Sequence, residues 1–255
     1  MKAGPLFHPF LCAMKSARRG ALPRFGGTVK LLLWDIDGTL IYSGGVAGEA
    51  MRTAMERVYG RASLTDRQTY AGKTDQQIIL ETFPERSPEE LLGRLDEFMA
   101  EYLHELSSHH DALRQRGRVL DGVVAALEQL SDKPVILSLL TGNLQPVARL
   151  KLELLGLAQF FNFDAGAYGS DHHMRIRLVP IAAQRAAALY NREFAGQDVV
   201  VIGDTPNDIA CGKAANARTV AVATGPFSVA ELQAHQPDVT LKDLSDTAAV
   251  LAALG

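Results

Sequence analysis

Cysteine is scarce in this chain, and its scarcity limits the classes of protein to which the chain can belong. The 255 residues include two cysteines, Cys12 and Cys211. Cys12 lies in an irregular N-terminal stretch and Cys211 in an apolar segment, so a structural disulfide is not expected. A disulfide-stapled secreted fold is therefore excluded and a cytoplasmic location is expected. Cys211 is predicted to pack in a core rather than to act as a nucleophile.

The chain also lacks an apolar run that would suggest a membrane partner. Its most suggestive stretch, residues 6–14, is too short to span a bilayer and contains His8 and Pro9. No clean cleavage site of small residues follows it, so a signal peptide is not predicted. We interpret residues 1–28 as a disordered leader or as the product of a misassigned start, with Met14 as the true initiator. Their acid-free, arginine-containing composition leaves a transit peptide as the alternative.

The chain also has no excess of positive charge. The net charge is −3, and the first 34 residues hold six basic residues and no acidic one. The remainder therefore carries 20 basic and 29 acidic residues, a net charge of −9. Such a balance argues against a nucleic-acid partner. Because an acidic body repels anionic substrates, a site for such a substrate would need a cation of its own.

What the chain does contain is a pair of carboxylates at the end of a predicted strand. The apolar residues 31–34 lead directly into Asp35-Ile36-Asp37-Gly38-Thr39, so a buried strand is predicted to end in a charged turn. Strand alternation would return Asp35 and Asp37 to the same side. Two adjacent like charges are unfavourable unless a cation offsets them, so the pattern predicts a Mg²⁺ site. A plain turn of Asp and Gly is the simpler alternative.

Predicted strands and helices alternate along most of the chain. Continuous runs of Val, Ile and Leu are typical of strands that are buried on both faces, as in a parallel sheet. The alternation therefore predicts an α/β fold with a Rossmann-like, doubly wound parallel sheet. The predicted strands are residues 30–35, 135–140, 161–167, 198–203, 219–223 and 239–241, and the predicted helices are residues 123–130, 144–155, 179–190, 208–215, 229–234 and 247–254.

The region between the first two strands breaks this alternation. It is rich in helical spacing and poor in strand signals, and Ser87-Pro88-Glu89-Glu90 is typical of a helix start. Because it is too long for a simple crossover, we predict a small helical cap domain, residues 45–118, inserted after the first strand. Residues 29–44 and 119–255 are then the α/β core. The helical stretches of the cap are residues 47–59, 75–82 and 88–106.

Two further predicted strands also end in polar residues. Thr141-Gly142-Asn143 offers a hydroxyl, a flexible turn and backbone N–H groups at a helix start, which suits an anion; alone, a turn with a helix cap explains it equally well. The segment 203–208 places Asp204 and Asp208 at another helix start. Ligands of open α/β sheets bind outside the carboxyl ends of the strands. The three strand ends together therefore predict a phosphate-sized cradle beside a hard, oxygen-liganded cation such as Mg²⁺.

In order and spacing, these three motifs resemble those of the haloacid dehalogenase superfamily of phosphohydrolases. The helical insertion after the first strand is similar to the C1-type cap of the phosphoglycolate-phosphatase-like branch. The resemblance extends over residues 29–255 and does not include the leader. It implies the α/β core with a helical cap that the alternation also predicts.

The resemblance implies a role for each residue of the first two motifs. Asp35 would be the nucleophile that attacks phosphorus and forms an aspartyl-phosphate. Asp37 would protonate the leaving oxygen and then activate water; dehalogenating members lack an acid at this position, so its presence favours phosphoryl transfer. Thr141 and the backbone of Gly142 and Asn143 would hold the phosphoryl oxygens.

The resemblance also implies a set of metal ligands. Mg²⁺ would bind the Asp35 carboxylate, the backbone carbonyl of Asp37 and the Asp204 carboxylate. Asp208 would support this set through a water molecule or a neighbouring contact. The metal site is thus expected to draw on both the first and the third motif.

Two basic residues complete the implied site. The superfamily places a lysine or arginine before the third motif to neutralise the nucleophile and the phosphate. No lysine occurs in residues 162–180, so Arg175 and Arg177 are the alternatives, of which we favour Arg175. In the cap, Lys73 matches the loop that meets the substrate in relatives, and Thr74 or Asp75 would cap the next helix. An exposed loop lysine is the other reading of Lys73.

The resulting hypothesis is a Mg²⁺-dependent phosphatase that acts on a small phosphorylated metabolite, with phosphoglycolate expected by resemblance. One alternative is a phosphosugar mutase of the same superfamily, whose cap would have to exclude water. Another is a non-catalytic binding or regulatory member, against which the presence of all four aspartates argues. We expect a monomer or a homodimer with no nucleic-acid or membrane partner.

Overall fold

A computed structural model describes residues 29–60 and 70–255, and the structural statements below concern those residues. The predicted leader, residues 1–28, lies outside them. In the described ranges, no helix combines the length and the apolar character that crossing a membrane requires.

A five-stranded parallel sheet forms the centre of the described structure. The strands in chain order are β1 (Lys30–Trp34), β2 (Ile41–Tyr42), β3 (Arg118–Val119), β4 (Val135–Leu139), β5 (Val199–Gly203), β6 (Arg218–Val222) and β7 (Val239–Leu241). The order in the sheet is β4-β1-β5-β6-β7, and every neighbouring pair is parallel. The predicted Rossmann-like α/β class is therefore confirmed.

Helices cover both faces of this sheet. The helices of the described residues, in chain order, are α1 (Val46–Tyr59), α2 (Asp75–Thr82), α3 (Pro88–Leu92), α4 (Leu95–Ser108), α5 (His110–Arg116), α6 (Val123–Ser131), α7 (Gln145–Leu154), α8 (Leu178–Tyr190), α9 (Pro206–Ala214), α10 (Val229–Ala234) and α11 (Thr247–Leu254). Helices α6, α7 and α11 contribute to the hydrophobic cluster on one face. Helices α8 and α9 contribute to the cluster on the other, which includes Cys211 as expected.

The side chains of β1 show why the central strand is apolar throughout. Leu32 and Trp34 lie in the first cluster, whereas Leu31 and Leu33 lie in the second. All four are fully buried. Because the two-residue period of a strand sends neighbours to opposite faces, a strand covered on both faces needs an uninterrupted apolar run.

One predicted strand is wrong. Residues 161–167 contain a 3-10 turn at Phe163–Ala165 and a single isolated bridge between Leu140 and Ala167. The Asn162 side chain accepts a hydrogen bond from the backbone N–H two residues ahead at 3.0 Å, which favours a turn over an extended strand. The apolar side chains of the segment are nevertheless buried against the sheet, and this burial explains why the segment resembles a strand in sequence.

The helices between Val46 and Arg116 share a hydrophobic cluster that is centred on α1 and α4 and that also includes Leu144 and Val147 at the start of α7. The chain enters and leaves this layer through a two-residue antiparallel ladder in which Ile41 pairs with Val119 and Tyr42 with Arg118. A cluster built mainly from these helices, in a segment that two adjacent strands connect to the core, supports the proposed division into an α/β core and a cap of residues 45–118.

The predicted helix 88–106 is two helices, α3 and α4. It begins as expected, since the Ser87 side chain accepts the backbone N–H of Glu90. The break falls at Gly93 and Arg94. Glycine is among the weakest helix formers, which accounts for the interruption at this point.

Candidate active site

Three strand ends meet at the carboxyl edge of the sheet. Because β1 lies between β4 and β5, the residues that follow these strands are neighbours. Asp35 follows β1, Thr141 lies just beyond β4, and Asp204 follows β5. This edge is where open α/β sheets bind ligands. The three sequence motifs therefore contribute to one site.

Three buried carboxylates form the centre of this site. Oxygens of Asp35, Asp204 and Asp208 lie within 4.8 Å of one another. Burial raises the pKa of Asp35 to about 6, although Arg175 acts against the shift. Burial and the charges of Asp35 and Asp208 raise the pKa of Asp204 well above its usual range. The cluster carries more negative charge than its surroundings offset, and a divalent cation fits such a setting.

Small and hydroxylated residues hold the carboxylates in place. The Thr39 hydroxyl donates to Asp204 Oδ1 at 2.9 Å. Gly38 has a φ of +91°, and an added Cβ there would lie 2.4 Å from Asp204 Oδ2, so both the conformation and the space require glycine. The Thr205 hydroxyl and backbone N–H donate to Asp208 Oδ2 at 2.6 and 3.1 Å, in the capping box that begins α9.

Arg175 supplies positive charge to this cluster. Its buried guanidinium contacts Asp35 Oδ1 at 3.0 Å and also pairs with Asp208. Burial acts to lower the pKa of Arg175, but the two carboxylates outweigh burial and raise it above its ordinary value. The alternative, Arg177, is exposed to solvent. The geometry therefore favours Arg175 as the basic residue of the site.

Asp37 has partners different from those of Asp35. β1 ends at Trp34, so strand alternation does not extend to Asp37, which forms an isolated bridge with Ile41 just before the following turn. Asp37 Oδ2 accepts from Lys151 Nζ at 2.7 Å and from Asn143 Nδ2 at 2.8 Å. Its side chain is 35% exposed, whereas that of Asp35 is 7% exposed. The two carboxylates of the first motif are thus held in different environments.

Lys151 is a residue of the site that sequence reasoning missed. It lies on the buried face of α7 together with Val147, Ala148 and Leu152. A lysine is rarely buried unless it is paired. A lysine inside the apolar stripe of an amphipathic helix is therefore the signal that would have identified it.

The motif of residues 141–143 acts largely through the side chain of Asn143. Asn143 Nδ2 donates to Thr141 Oγ1 at 2.8 Å as well as to Asp37, and its backbone N–H points to the same hydroxyl at 3.3 Å. The sequence prediction assigned Asn143 only a backbone contact with phosphate. In the structure, its side chain links Thr141 to Asp37.

Residues 71–76, here called the cap loop, consist of the loop before α2 and the first two residues of that helix, and they lie over the strand ends. An added Cβ on Gly142 would lie 2.0 Å from the Lys73 carbonyl oxygen, so glycine is needed for the loop to approach. The hydrogen bonds between loop and core are Thr74 Oγ1 to His173 O (2.6 Å), Asp75 N to Gly142 O (2.8 Å), Leu144 N to Asp75 Oδ2 (2.9 Å), Gln76 Nε2 to Gly169 O (2.7 Å), Arg175 Nη1 to Gly72 O (3.0 Å) and Asn207 Nδ2 to Ala71 O (3.0 Å). These bonds fasten the cap to the site.

Lys73 is paired within the cap. Its Nζ contacts Glu81 Oε2 on α2 at 2.5 Å and lies 5.6 Å from the centroid of the Tyr70 ring. The structure therefore brings Lys73 to the cap loop but directs its ammonium toward an acid of the cap.

Asp75 is buried where the cap loop meets the core. Burial raises its pKa to about 6, although the hydrogen bond from the Leu144 N–H acts against the shift. The N-cap of α2 is Thr74, which accepts the backbone N–H of Gln77 at 3.0 Å. Of the two helix caps that the sequence offered, Thr74 is thus the one used, and Asp75 instead binds the start of α7.

The residues that build this site fall within the match to a known family. The profile of the haloacid dehalogenase-like hydrolases matches residues 32–222. The pyrophosphatase PpaX of Listeria monocytogenes serotype 4a (strain HCC23) is 27% identical over 230 residues, which cover 88% of this chain and 97% of that protein.

Solved structures share the fold. A predicted phosphatase from Clostridium acetobutylicum has a TM-score of 0.68 at 17% identity, over 89% of this chain and 100% of that chain. A predicted phosphoglycolate phosphatase from Haemophilus somnus has a TM-score of 0.59 at 18% identity, over the same shares. At these identities the likeness concerns the fold alone. The family profile and the motifs agree, and the chain belongs to the haloacid dehalogenase-like hydrolases.

Proposed function

We propose that the chain is a Mg²⁺-dependent phosphatase that hydrolyses a small phosphomonoester through an aspartyl-phosphate. The observation that carries this proposal is the buried cluster of Asp35, Asp204 and Asp208 beside Arg175. Three carboxylates and one guanidinium leave an excess of negative charge away from water. Such an excess is costly unless a cation offsets it.

The donor set fits Mg²⁺. This hard cation prefers carboxylate and carbonyl oxygens, and we propose that the Asp35 and Asp204 carboxylates and the Asp37 carbonyl hold it. Asp208 supports the set by fixing Arg175. When bound, the ion supplies the positive charge that lets a phosphate dianion approach these carboxylates.

In the proposed reaction, Asp35 attacks phosphorus and the bond from phosphorus to the leaving oxygen breaks. The leaving oxygen takes a proton from Asp37. Water then gives a proton to Asp37 and attacks phosphorus, which releases phosphate and restores the Asp35 carboxylate. Arg175 offsets charge beside Asp35, and Thr141 with its neighbouring backbone holds the phosphoryl oxygens.

The proposed substrate is a small phosphomonoester, and phosphoglycolate is the first compound to test. A cap loop that is hydrogen-bonded closely to the core favours a compact ester over a large one. The resemblance to the phosphoglycolate-phosphatase-like branch supports the same class. The Listeria monocytogenes relative is a pyrophosphatase by name, so pyrophosphate is the second substrate to test. Lys73 stays a proposed substrate contact, which would require its pair with Glu81 to open.

A panel of phosphate compounds with free phosphate as the readout tests the proposal. The panel contains phosphoglycolate, pyrophosphate, a hexose phosphate and p-nitrophenyl phosphate, with Mg²⁺ and with a chelator. We expect Mg²⁺-dependent release without a bisphosphate activator, a result that the mutase alternative does not allow. Asp35→Asn is expected to lower kcat by at least about 10³-fold.

The matched control is Asp132→Asn, which removes a carboxylate at an exposed position and should leave kcat unchanged. Undiminished hydrolysis by Asp35→Asn would show that the nucleophile is another residue. No release from any compound by the wild-type chain would support the non-catalytic alternative.

A further inference from the structure

Lys151 is a second buried cation beside the site, and the reaction proposed above gives it no task. Its Nζ lies 2.7 Å from Asp37 Oδ2 and 2.6 Å from Asn143 Oδ1. The residue is 2% exposed. Because a buried ammonium is costly unless it is paired and hydrogen-bonded, these two oxygens account for its place in the core.

Lys151, Asn143 and Asp37 close a ring of hydrogen bonds. Asn143 Nδ2 donates to the same Asp37 oxygen that Lys151 contacts, at 2.8 Å. The ammonium determines how the Asn143 amide lies, because the reversed amide would turn an NH₂ group toward the NH₃⁺ group. In the observed orientation, Asn143 also donates to Thr141 Oγ1. One cation therefore orients both the carboxylate and its amide neighbour.

The two buried cations serve different carboxylates. Arg175 contacts Asp35 and Asp208, whereas Lys151 contacts Asp37. The helix that carries Lys151 is packed on two sides, because Ala148 and Leu152 lie in the core cluster and Val147 lies in the cluster of the cap helices. The position of the ammonium is thus set by packing on both sides of α7, against the core and against the cap.

We propose that Lys151 is a positioning residue that holds the Asp37 carboxylate for proton transfer to the leaving oxygen. This inference rests on the proposed function, which gives Asp37 that proton transfer. It predicts a dependence on the leaving group. An alkyl phosphate leaves as a basic alkoxide and needs the proton, whereas p-nitrophenolate leaves without one. Loss of Lys151 should therefore lower the rate of alkyl phosphate hydrolysis more than the rate of p-nitrophenyl phosphate hydrolysis.

Lys151→Met tests the inference with two esters, p-nitrophenyl phosphate and the best alkyl phosphate of the panel. We expect kcat/KM for the alkyl ester to fall by about 10²-fold, within the range that general acid–base catalysis supplies, and that for p-nitrophenyl phosphate by less than about tenfold. Lys151→Arg keeps the charge and should recover part of the alkyl ester activity. The control, Lys133→Met, replaces an exposed lysine and should change kcat/KM for neither ester.

If Lys151→Met does not fold, Asn143→Ala provides a second test of the positioning role. It removes the amide from the ring and leaves the ion pair between Lys151 and Asp37, so the same selective loss is expected at smaller size. Equal losses on the two esters, in whichever variant folds, would overturn the positioning role alone. A wild-type chain that hydrolyses neither ester would overturn the proposed function and the inference with it.

Discussion

The charged side chains at the carboxyl edge of the sheet, here called the floor of the site, and the cap loop above them make different kinds of contact. On the floor, charged side chains meet charged side chains, as in the pairs of Arg175 with Asp35 and of Lys151 with Asp37. In the cap loop, a main-chain group forms at least one half of each bond to the core, as where Thr74 donates to the His173 carbonyl. The floor therefore contains the side chains that can take part in catalysis. The bonds of the cap loop instead hold the loop against the core.

The difference has an energetic consequence. Removing one member of a buried ion pair leaves an uncompensated charge away from water, which is among the costliest single changes in a protein. Removing one bond of a loop that several bonds hold costs much less. Changes on the floor should therefore have larger effects than changes at the loop.

Arg175→Met should have the largest effect on stability. It leaves Asp35 and Asp208 without their cation, so the free energy of unfolding in metal-free buffer is expected to fall by about 3–5 kcal/mol. Arg177→Met, at an exposed arginine two residues away, should change it by less than about 0.5 kcal/mol. Urea unfolding of both variants measures the difference. Equal effects would mean that Arg175 does not carry the charge of the floor.

Asp75→Asn tests the loop through pH. The pKa of Asp75 rises from 3.8 to about 6 on folding, so the folded state binds the proton more tightly than the unfolded state. The stability that this proton provides is full below pH 4 and is lost as pH rises through 6. Asp75→Asn should therefore match the wild type near pH 4 and exceed its unfolding free energy above pH 6, by up to about 3 kcal/mol.

Thermal and urea unfolding at pH 4 and pH 7.5 check this sign, with Asp121→Asn at an exposed carboxylate as the control. A variant that is less stable than the wild type at pH 7.5 would show that Asp75 is ionised and favourably held in the folded protein. The cap loop would then be fastened by charge in the same way as the floor.

Gly142→Ala should have the smallest effect on the free energy of unfolding, but it should displace the cap loop. Its Cβ would lie 2.0 Å from the Lys73 carbonyl oxygen, so the loop must move, at a cost of about 1–2 kcal/mol. We expect KM to rise more than kcat falls. Gly48→Ala on α1 meets no atom within 4 Å and should stabilise by up to about 1 kcal/mol. An unchanged KM in Gly142→Ala would mean that the loop does not cover the bound substrate.

The floor could be predicted from the sequence because its residues stand next to clear signals. Asp35 and Asp204 directly follow apolar strands, and the carboxyl ends of parallel strands converge. The contacts of the cap loop could not be predicted, since each of them involves a backbone group on at least one side, and a backbone group has no residue signature. Lys151 was missed because its role depends on which way α7 faces, and that is decided by packing.

Two errors of secondary structure have related causes. Residues 161–167 are apolar because they are buried against the sheet, and the turn begun by Asn162 outweighs strand propensity. The pairing of Asp35 with Asp37 was inferred from strand alternation, but β1 ends at Trp34. In both places the residues that the pattern assigned to a regular strand lie outside one.

The central claim is that Asp35 carries the phosphoryl group, and Asp37→Asn provides its most direct test. With Mg²⁺ and p-nitrophenyl phosphate, this variant should still release p-nitrophenol once, because that leaving group needs no proton, but it should hydrolyse the intermediate slowly. Acid quenching followed by intact-mass and peptide mass spectrometry is predicted to find one phosphoryl group, on Asp35. A phosphoryl group on another residue, or none in a variant that releases p-nitrophenol, would contradict the account.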